Sequence, residues 1–553
     1  MNRLLRMIGL KIPPPLAVAA LLLAFSSGCA AAMPPTLDAA VARGAGDRMG
    51  GRPVAHENSL LRAIYARHPG PLWLAAGGLT PEGRRLIELL QSAARFGLDP
   101  RDYAAGSLAA AAALRSGTAL ELKLTRAAIR LVTDLHYGRV DPRAAGFELP
   151  PRPRNLDVAA AVTALAAAPH VRAALAGIEP PFYHYRLLER ALARYRLLAA
   201  EPGLTRLPPL PRRNLEAGDA YAGVPALRRR LAAVGDLPAA AADATVTPAT
   251  GVLDAALVDA LKRFELRHGL AADGVLGPQT FAALTTPMSH RVEQIDLTLE
   301  RWRWLPPFSA PPIIVNIPQF RLFAFPTTAD RVAGMLQMAV IVGQTYPLMR
   351  TPVFTGKIRY VVFRPYWNVP RSILDKEMLP RIRQNPDYLA KNHLELVRGE
   401  SDSSPVVAPS SAAIAALAAG RLRLRQRPGE DNALGLVKFI FPNAHDVYLH
   451  GTPAHRLFRE TRRAFSHGCI RVRDPVALAR YVLRNGPGRW DSVRILAAMH
   501  GRNAVRVELP QPQPVMILYG TALATEAGPV DFFADLYGED RRLAALLRRH
   551  GAS

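Results

Sequence analysis

The sequence predicts a multidomain α+β protein: a mainly helical scaffold, a small three-helix module, then a β-rich domain carrying a helical insertion. Three observations point there. The chain has 553 residues, 49% of them hydrophobic, enough to bury several cores. Apolar residues recur at helical spacing up to about residue 290 and alternate from about 311, the period of a half-buried strand. Proline-rich breaks, above all 203–212, separate the patterned stretches.

The chain opens on an export signal over residues 1–32. Arg3, Arg6 and Lys11 make a positive start, Leu16 to Phe25 form a short apolar run, and Ser26-Ser27-Gly28-Cys29-Ala30-Ala31-Ala32 supplies small residues. Two processing outcomes are open. Gly28-Cys29 resembles a lipoprotein cleavage site, which would lipidate Cys29 and anchor the protein to a membrane, although Ser26 stands where such sites carry Leu. Ala30-Ala31-Ala32 resembles an ordinary signal-peptidase site. Either places the mature protein in the periplasm or cell envelope, where an unpaired thiol meets oxidants. A net charge of +25 favours an anionic partner such as cell wall or a membrane surface. The arginines are scattered and the chain is exported, which argues against nucleic acid.

Residues 33–57 are rich in Pro, Gly and Arg without periodicity, as in a tether. Residues 58–210 read as the helical scaffold. Thr80-Pro81-Glu82 supply a cap, a first-turn proline and an acid, and Gly97 offers the far cap. Further helices are expected at about 120–137 and 182–198, with alanine-rich stretches at 104–113 and 158–168. Residues 219–290 form the small module: helices over Val224 to Val234 and Asp254 to His268, then the turn Asp273-Gly274-Val275-Leu276-Gly277-Pro278 and a third helix. Residues 235–253 lengthen a loop within it. From 311 to 520 the chain alternates, in Ile313, Val315 and Ile317, then Phe320 to Phe325, Met338 to Val342 and Leu436 to Phe441. Between 371 and 430 the pattern turns helical, an insertion placed as a lid. Residues 521–553 read as a helical C-terminal extension.

Cys469 is the one cysteine outside the signal. A lone thiol is too little for an internal disulfide or a structural zinc site, which leaves a reactive nucleophile or an inert buried side chain. Its surroundings favour reactivity. It sits in Ser466-His467-Gly468-Cys469-Ile470-Arg471, nineteen residues after His450 of His450-Gly451-Thr452. Strand alternation places Tyr448 with His450 on one face, and Cys469 with Arg471 on one face of the next strand. If the two strands are neighbours, imidazole, thiol, guanidinium and phenol converge. Histidine is then the base a thiol nucleophile needs, and Gly468 permits a close turn whose N–H groups face an oxyanion.

These motifs resemble the signature of the L,D-transpeptidases, the YkuD-type catalytic domain. Ile341-Val342-Gly343, Thr351-Pro352-Val353-Phe354 and Trp367-Asn368-Val369-Pro370 support the likeness. The Asp273 turn resembles that of peptidoglycan-binding modules, and the first helical region resembles the scaffold domain of the large periplasmic members. The resemblance implies that Cys469 is the acyl-accepting nucleophile and His450 its base, with the Gly451 carbonyl orienting the imidazole. Gly451 stands where large members carry an acid. His467 and Gly468 would shape the oxyanion site, and Arg471, Tyr448, Trp367 and Asn368 would bind substrate. The reaction implied is attack on the third residue of a peptidoglycan tetrapeptide stem, release of D-alanine, and transfer of the thioester to a neighbouring amine. Implied partners are stem peptides, glycan strands and other cell-wall synthases, with no metal or organic cofactor, and carbapenems are expected to acylate the same cysteine.

Plainer readings compete residue by residue. His467 serves equally as a loop residue bonded to backbone, Tyr448 and Trp367 as core aromatics, and Arg471 as an ion-pair partner of Asp474. His445 and His455 are expected to face solvent. The competing functions are an exported cysteine peptidase of the L,D-carboxypeptidase type and an inactive wall-binding protein.

Overall fold

The computed structural model describes residues 57–238 and 251–551 apart from 77, 115, 116, 151, 202, 386 and 487, with residues 39, 41, 48, 49, 52 and 53 before them. The expected export signal with Cys29, most of the expected tether and most of the 235–253 loop lie outside the described residues.

The scaffold is built from α1 (Asn58–Arg67), α2 (Pro81–Gln91), α3 (Ala105–Leu114), α4 (Thr118–Tyr137) and α5 (Val158–Ala167). Side chains cap two of these helices, at Thr80 as the sequence places it and at Asp157. Gly83 N–H donates to Thr80 Oγ1 at 3.1 Å with Pro81 in the first turn, and Ala160 N–H donates to Asp157 at 2.9 Å. Gly97 is left-handed, but it caps the short 3-10 turn Ala93–Phe96 that follows α2. Leu124, Ala127, Leu131 and Leu135 of α4 are fully buried at the centre of a core that stops at Ile178.

The scaffold core therefore ends before the expected boundary at 210. α6 (Tyr183–Ala199) belongs to a second, larger core, shared with the three-helix module and the β-rich domain. The module consists of α7 (Val224–Val234), α8 (Ala255–Arg267) and α9 (Pro278–Thr285), as the sequence predicts. It leads into α10 (Met288–Arg303), which packs along α6 and which the periodicity does not reveal. The reason is chemical: the buried face of α10 carries Arg291, Gln294, Thr298, Glu300, Arg301 and Arg303 beside its apolar residues, so no clean hydrophobic stripe appears. Glu300 accepts from the backbone N–H groups of Arg139 and Val140, and Arg303 bonds Glu300, Tyr185 and the Phe96 carbonyl. α10 thus ties scaffold to β-rich domain through buried polar contacts centred on Glu300.

Among the described residues nine strands form the main sheet: β1 (Ile313–Asn316), β2 (Arg321–Ala324), β3 (Leu336–Gly343), β4 (Phe354–Phe363), β5 (Val437–Ile440), β6 (Leu449–His450), β7 (Ala464–Ser466), β8 (Ile470–Val472) and β9 (Val505–Leu518). Their order is β7-β3-β8-β6-β5-β4-β9-β1-β2, and β2 also pairs with β3, which closes all but β7 into a barrel. Two expectations need correction. The insertion is α+β, not helical: Trp367–Asn368, Leu394–Val397, Val406–Val407 and Arg423–Gln426 make a separate four-stranded antiparallel sheet over a core of Leu374, Ile382, Leu396, Leu417 and Leu424. Its first strand precedes residue 371, and its strands are too short and too charged to show alternation. The C-terminal extension is also mixed, a hairpin of Ala522–Ala524 with Val530–Phe532 followed by the helix Glu539–Gly551. The hairpin packs on α6 and α10.

Candidate active site

Register places the site. β6 and β8 pair in parallel, Leu449 opposite Ile470 and His450 opposite Arg471, while Lys438 of β5 lies on the other side of His450. Leu449, Ile470 and Val472 are fully buried in the barrel core. Alternation turns His450 and Arg471 to the opposite face, and two residues back along the chain in each case Tyr448 and Cys469 join them. The Ile470 N–H bonds the Tyr448 carbonyl at 3.1 Å, which fixes that juxtaposition.

His450 is buried, and its Nδ1 lies 2.6 Å from the Gly451 carbonyl. That contact makes Nδ1 the donor and leaves Nε2 as the acceptor. Burial, then the Arg471 guanidinium, holds the imidazole down to about 3. Burial pushes the Cys469 thiol up to about 11 against the Tyr448 hydrogen bonds that favour the thiolate. The same burial and the neighbouring thiol raise the Tyr448 phenol well above its ordinary value. The thiol donates to the Asp446 carbonyl at 3.6 Å, and among the described residues no hydrogen bond joins it to His450. The resting pair is neutral thiol and neutral imidazole.

A strap of hydrogen bonds shapes the loop that carries Cys469. Gly468 has φ +117°, a conformation that favours glycine, and its N–H donates to Ser466 Oγ at 3.1 Å while Ser466 Oγ donates to the Cys469 carbonyl at 2.5 Å. The Gly468 N–H expected at the oxyanion is therefore occupied in this state. Thr351 Oγ1 donates to the Gly468 carbonyl and accepts from Gly343 N–H, each at 2.8 Å. Tyr537, from beyond the barrel, donates to the Gly343 carbonyl at 2.7 Å and accepts from Thr351 N–H. Sequence reasoning assigned no role to Ser466, Thr351 or Tyr537. The Thr-Pro motif pointed at Thr351, but nothing local points at Tyr537.

The remaining expected residues divide. His467 is exposed and contacts Glu377 of the insertion at 2.5 Å, in a π-helical turn over Leu374–Met378. Trp367 and Asn368 belong to the insertion's sheet, opposite Gln426 and Arg425, and make no hydrogen bond to the catalytic strands among the described residues. Arg471 does not pair with Asp474, which instead caps the following helix through Ala477 N–H at 2.9 Å. Its Nε is buried without a hydrogen-bond partner. His445 is not solvent-facing: it is half-buried, 3.0 Å from Glu148 of the scaffold and against the Phe354 ring. His455 is exposed as expected. A cavity of about 330 Å³ beside the loop is lined by Arg350, Thr351, His445, His467, Gly468 and Tyr537. Among the described residues no group of His, Cys, Asp or Glu is arranged to hold a metal ion.

Comparison with known proteins agrees with this geometry. Residues 311–495, which hold all four converging side chains, match the model described as the L,D-transpeptidase catalytic domain. The chain carries a YkuD-type L,D-transpeptidase domain. Residues 59–192 match the scaffold domain model and residues 221–284 the model described as "Putative peptidoglycan binding domain". A Haemophilus influenzae protein described as "Putative L,D-transpeptidase" is 30% identical over 282 residues, 50% of this chain and 55% of that protein. The chain thus spans about half the length of that relative. No helix among the described residues is long and apolar enough to cross a membrane.

Proposed function

We propose that this protein is a peptidoglycan L,D-transpeptidase acting through Cys469. The observation that carries the reading is the parallel pairing of β6 with β8, which sets Tyr448, His450, Cys469 and Arg471 on one face with the Gly451 carbonyl on His450 Nδ1. In this mechanism the thiol proton passes to His450 Nε2 as sulfur attacks the carbonyl of the third stem residue. The tetrahedral oxyanion collapses, the C–N bond breaks, and D-alanine leaves with the proton from His450. An acceptor amine then attacks the thioester, its proton returns through His450 to sulfur, and the amide cross-link is released. Arg471, with an unpaired buried Nε, supplies positive charge to a substrate carboxylate.

The 221–284 module holds the enzyme on peptidoglycan, in the periplasm or anchored through a lipidated Cys29, and carbapenems acylate Cys469 as stem mimics. The test is product analysis with a tetrapeptide-stem donor and a diamino acceptor. Free D-alanine with a cross-linked dimer is expected. A tripeptide alone would instead make the protein a carboxypeptidase, and no turnover with full wall binding would make it a binding protein.

A further inference from the structure

Away from the nucleophile, the joint between the three-helix module, α10 and the C-terminal hairpin buries more cations than anions. Arg230 of α7, Arg267 of α8 and Arg291 of α10 are 1%, 8% and 7% exposed. Arg267 is well paired, forked onto Asp236 and bonded to the Val530 carbonyl. Arg291 reaches Gln294 Oε1 at 2.8 Å and the Ala283 carbonyl at 3.2 Å, but its Nε is buried and bonded to nothing. Among the described residues Arg230 has a single hydrogen bond, to the weakly accepting Met288 Sδ at 2.8 Å, and its Nε is also an orphan. The Tyr195 hydroxyl, on a residue 1% exposed, has no partner either.

These groups share one neighbourhood. The Phe532 ring lies 5.1 Å from the Tyr195 ring and 4.8 Å from the Arg291 guanidinium, and Met288 precedes Arg291 by about one helical turn. The acids in reach do not balance the charge. Asp236 is engaged by Arg267, and Asp531, raised by burial to about 6 against the pull of Arg267 and Arg321, is still mostly ionised at neutral pH, so two carboxylates face three arginines. His268 is kept neutral by burial and by the same arginines. Burial and mutual repulsion hold Arg291 down to about 9 and burial holds Arg230 to about 10, yet a guanidinium does not give up its proton at neutral pH. An uncompensated buried cation is costly, and the usual remedy is a counter-ion.

We infer that Arg230, Arg291 and Tyr195 form a binding site for one small monovalent anion of the halide class, which fastens the module to α10. The surplus of about one charge sets the valence, and the near-complete burial of all three residues excludes a peptide, a glycan or a lipid headgroup. The anion accepts from both orphan Nε–H groups and from the Tyr195 hydroxyl. It acts in assembly of the domains and is independent of the chemistry at Cys469.

The full chain in sodium gluconate, whose anion is too bulky to enter, is titrated with sodium bromide at constant sodium concentration while thermal unfolding is followed. A saturable rise in Tm of roughly 2–4 °C is expected. Arg230→Met, which keeps length and loses charge, should abolish the response while folding at least as well in gluconate. Crystals grown in bromide should show an anomalous peak between Arg230, Arg291 and Tyr195. An unchanged wild-type Tm, an undiminished response in Arg230→Met, or an absent peak would each overturn the assignment.

Discussion

Burial acts in opposite senses on Cys469 and His450, raising the thiol to about 11 and depressing the imidazole to about 3, so both are neutral at pH 7. The sign has a kinetic consequence. His450 is in its basic form throughout the physiological range, while the thiolate fraction is roughly one in ten thousand at pH 7 and grows tenfold per pH unit. Alkylation of the free enzyme by iodoacetamide is therefore expected to climb steadily from pH 6 to pH 10. A plateau beginning near pH 6–7 would reveal a preformed thiolate–imidazolium pair and contradict this state. The side chains on the catalytic face were legible in the sequence because a period of two fixes direction once the two strands pair. The Gly451 contact is equally local. That Arg471 does not pair with Asp474 was not legible, because Asp474 reads as well as an ion-pair acid as it does as a helix cap.

At the scale of elements, the nucleophile turn depends on a residue far from it in sequence. Tyr537 holds the Gly343 carbonyl and the Thr351 N–H, and Thr351 in turn holds Gly468. Tyr537→Phe leaves both backbone groups buried without partners, at a cost of about 1–3 kcal/mol. A lower midpoint in urea and slower acylation of Cys469 are expected, and unchanged values in both would show that the strap is idle. Such a tie cannot be read from periodicity, since Tyr537 lies in an irregular turn before the last helix. The insertion was misread for a related reason. Its strands are two to four residues long, too short to display alternation, so its alanine-rich helix at Ser411–Ala418 dominated the pattern.

Across the whole molecule, α10 is the spine on which scaffold, module and barrel meet, and Glu300 is its most consequential residue. It is fully buried, paired with Arg303 and bonded to the Arg139 and Val140 backbone. Removing one member of such a network strands the others, so Glu300→Ala is expected to cost about 3–5 kcal/mol and to separate scaffold unfolding from that of the barrel in calorimetry. A single, unshifted transition would deny α10 that role. The domain order was readable from linkers and periods, whereas α10 escaped because its buried face is half polar. The central claim remains the acyl-carrying thiol, and intact-mass analysis after exposure to a carbapenem tests it most directly. One adduct on Cys469 is predicted, absent in Cys469→Ala, formed about 10²- to 10⁴-fold more slowly in His450→Ala and at the normal rate in His455→Ala. An unmodified wild-type protein, or equal rates in the two histidine variants, would contradict the account.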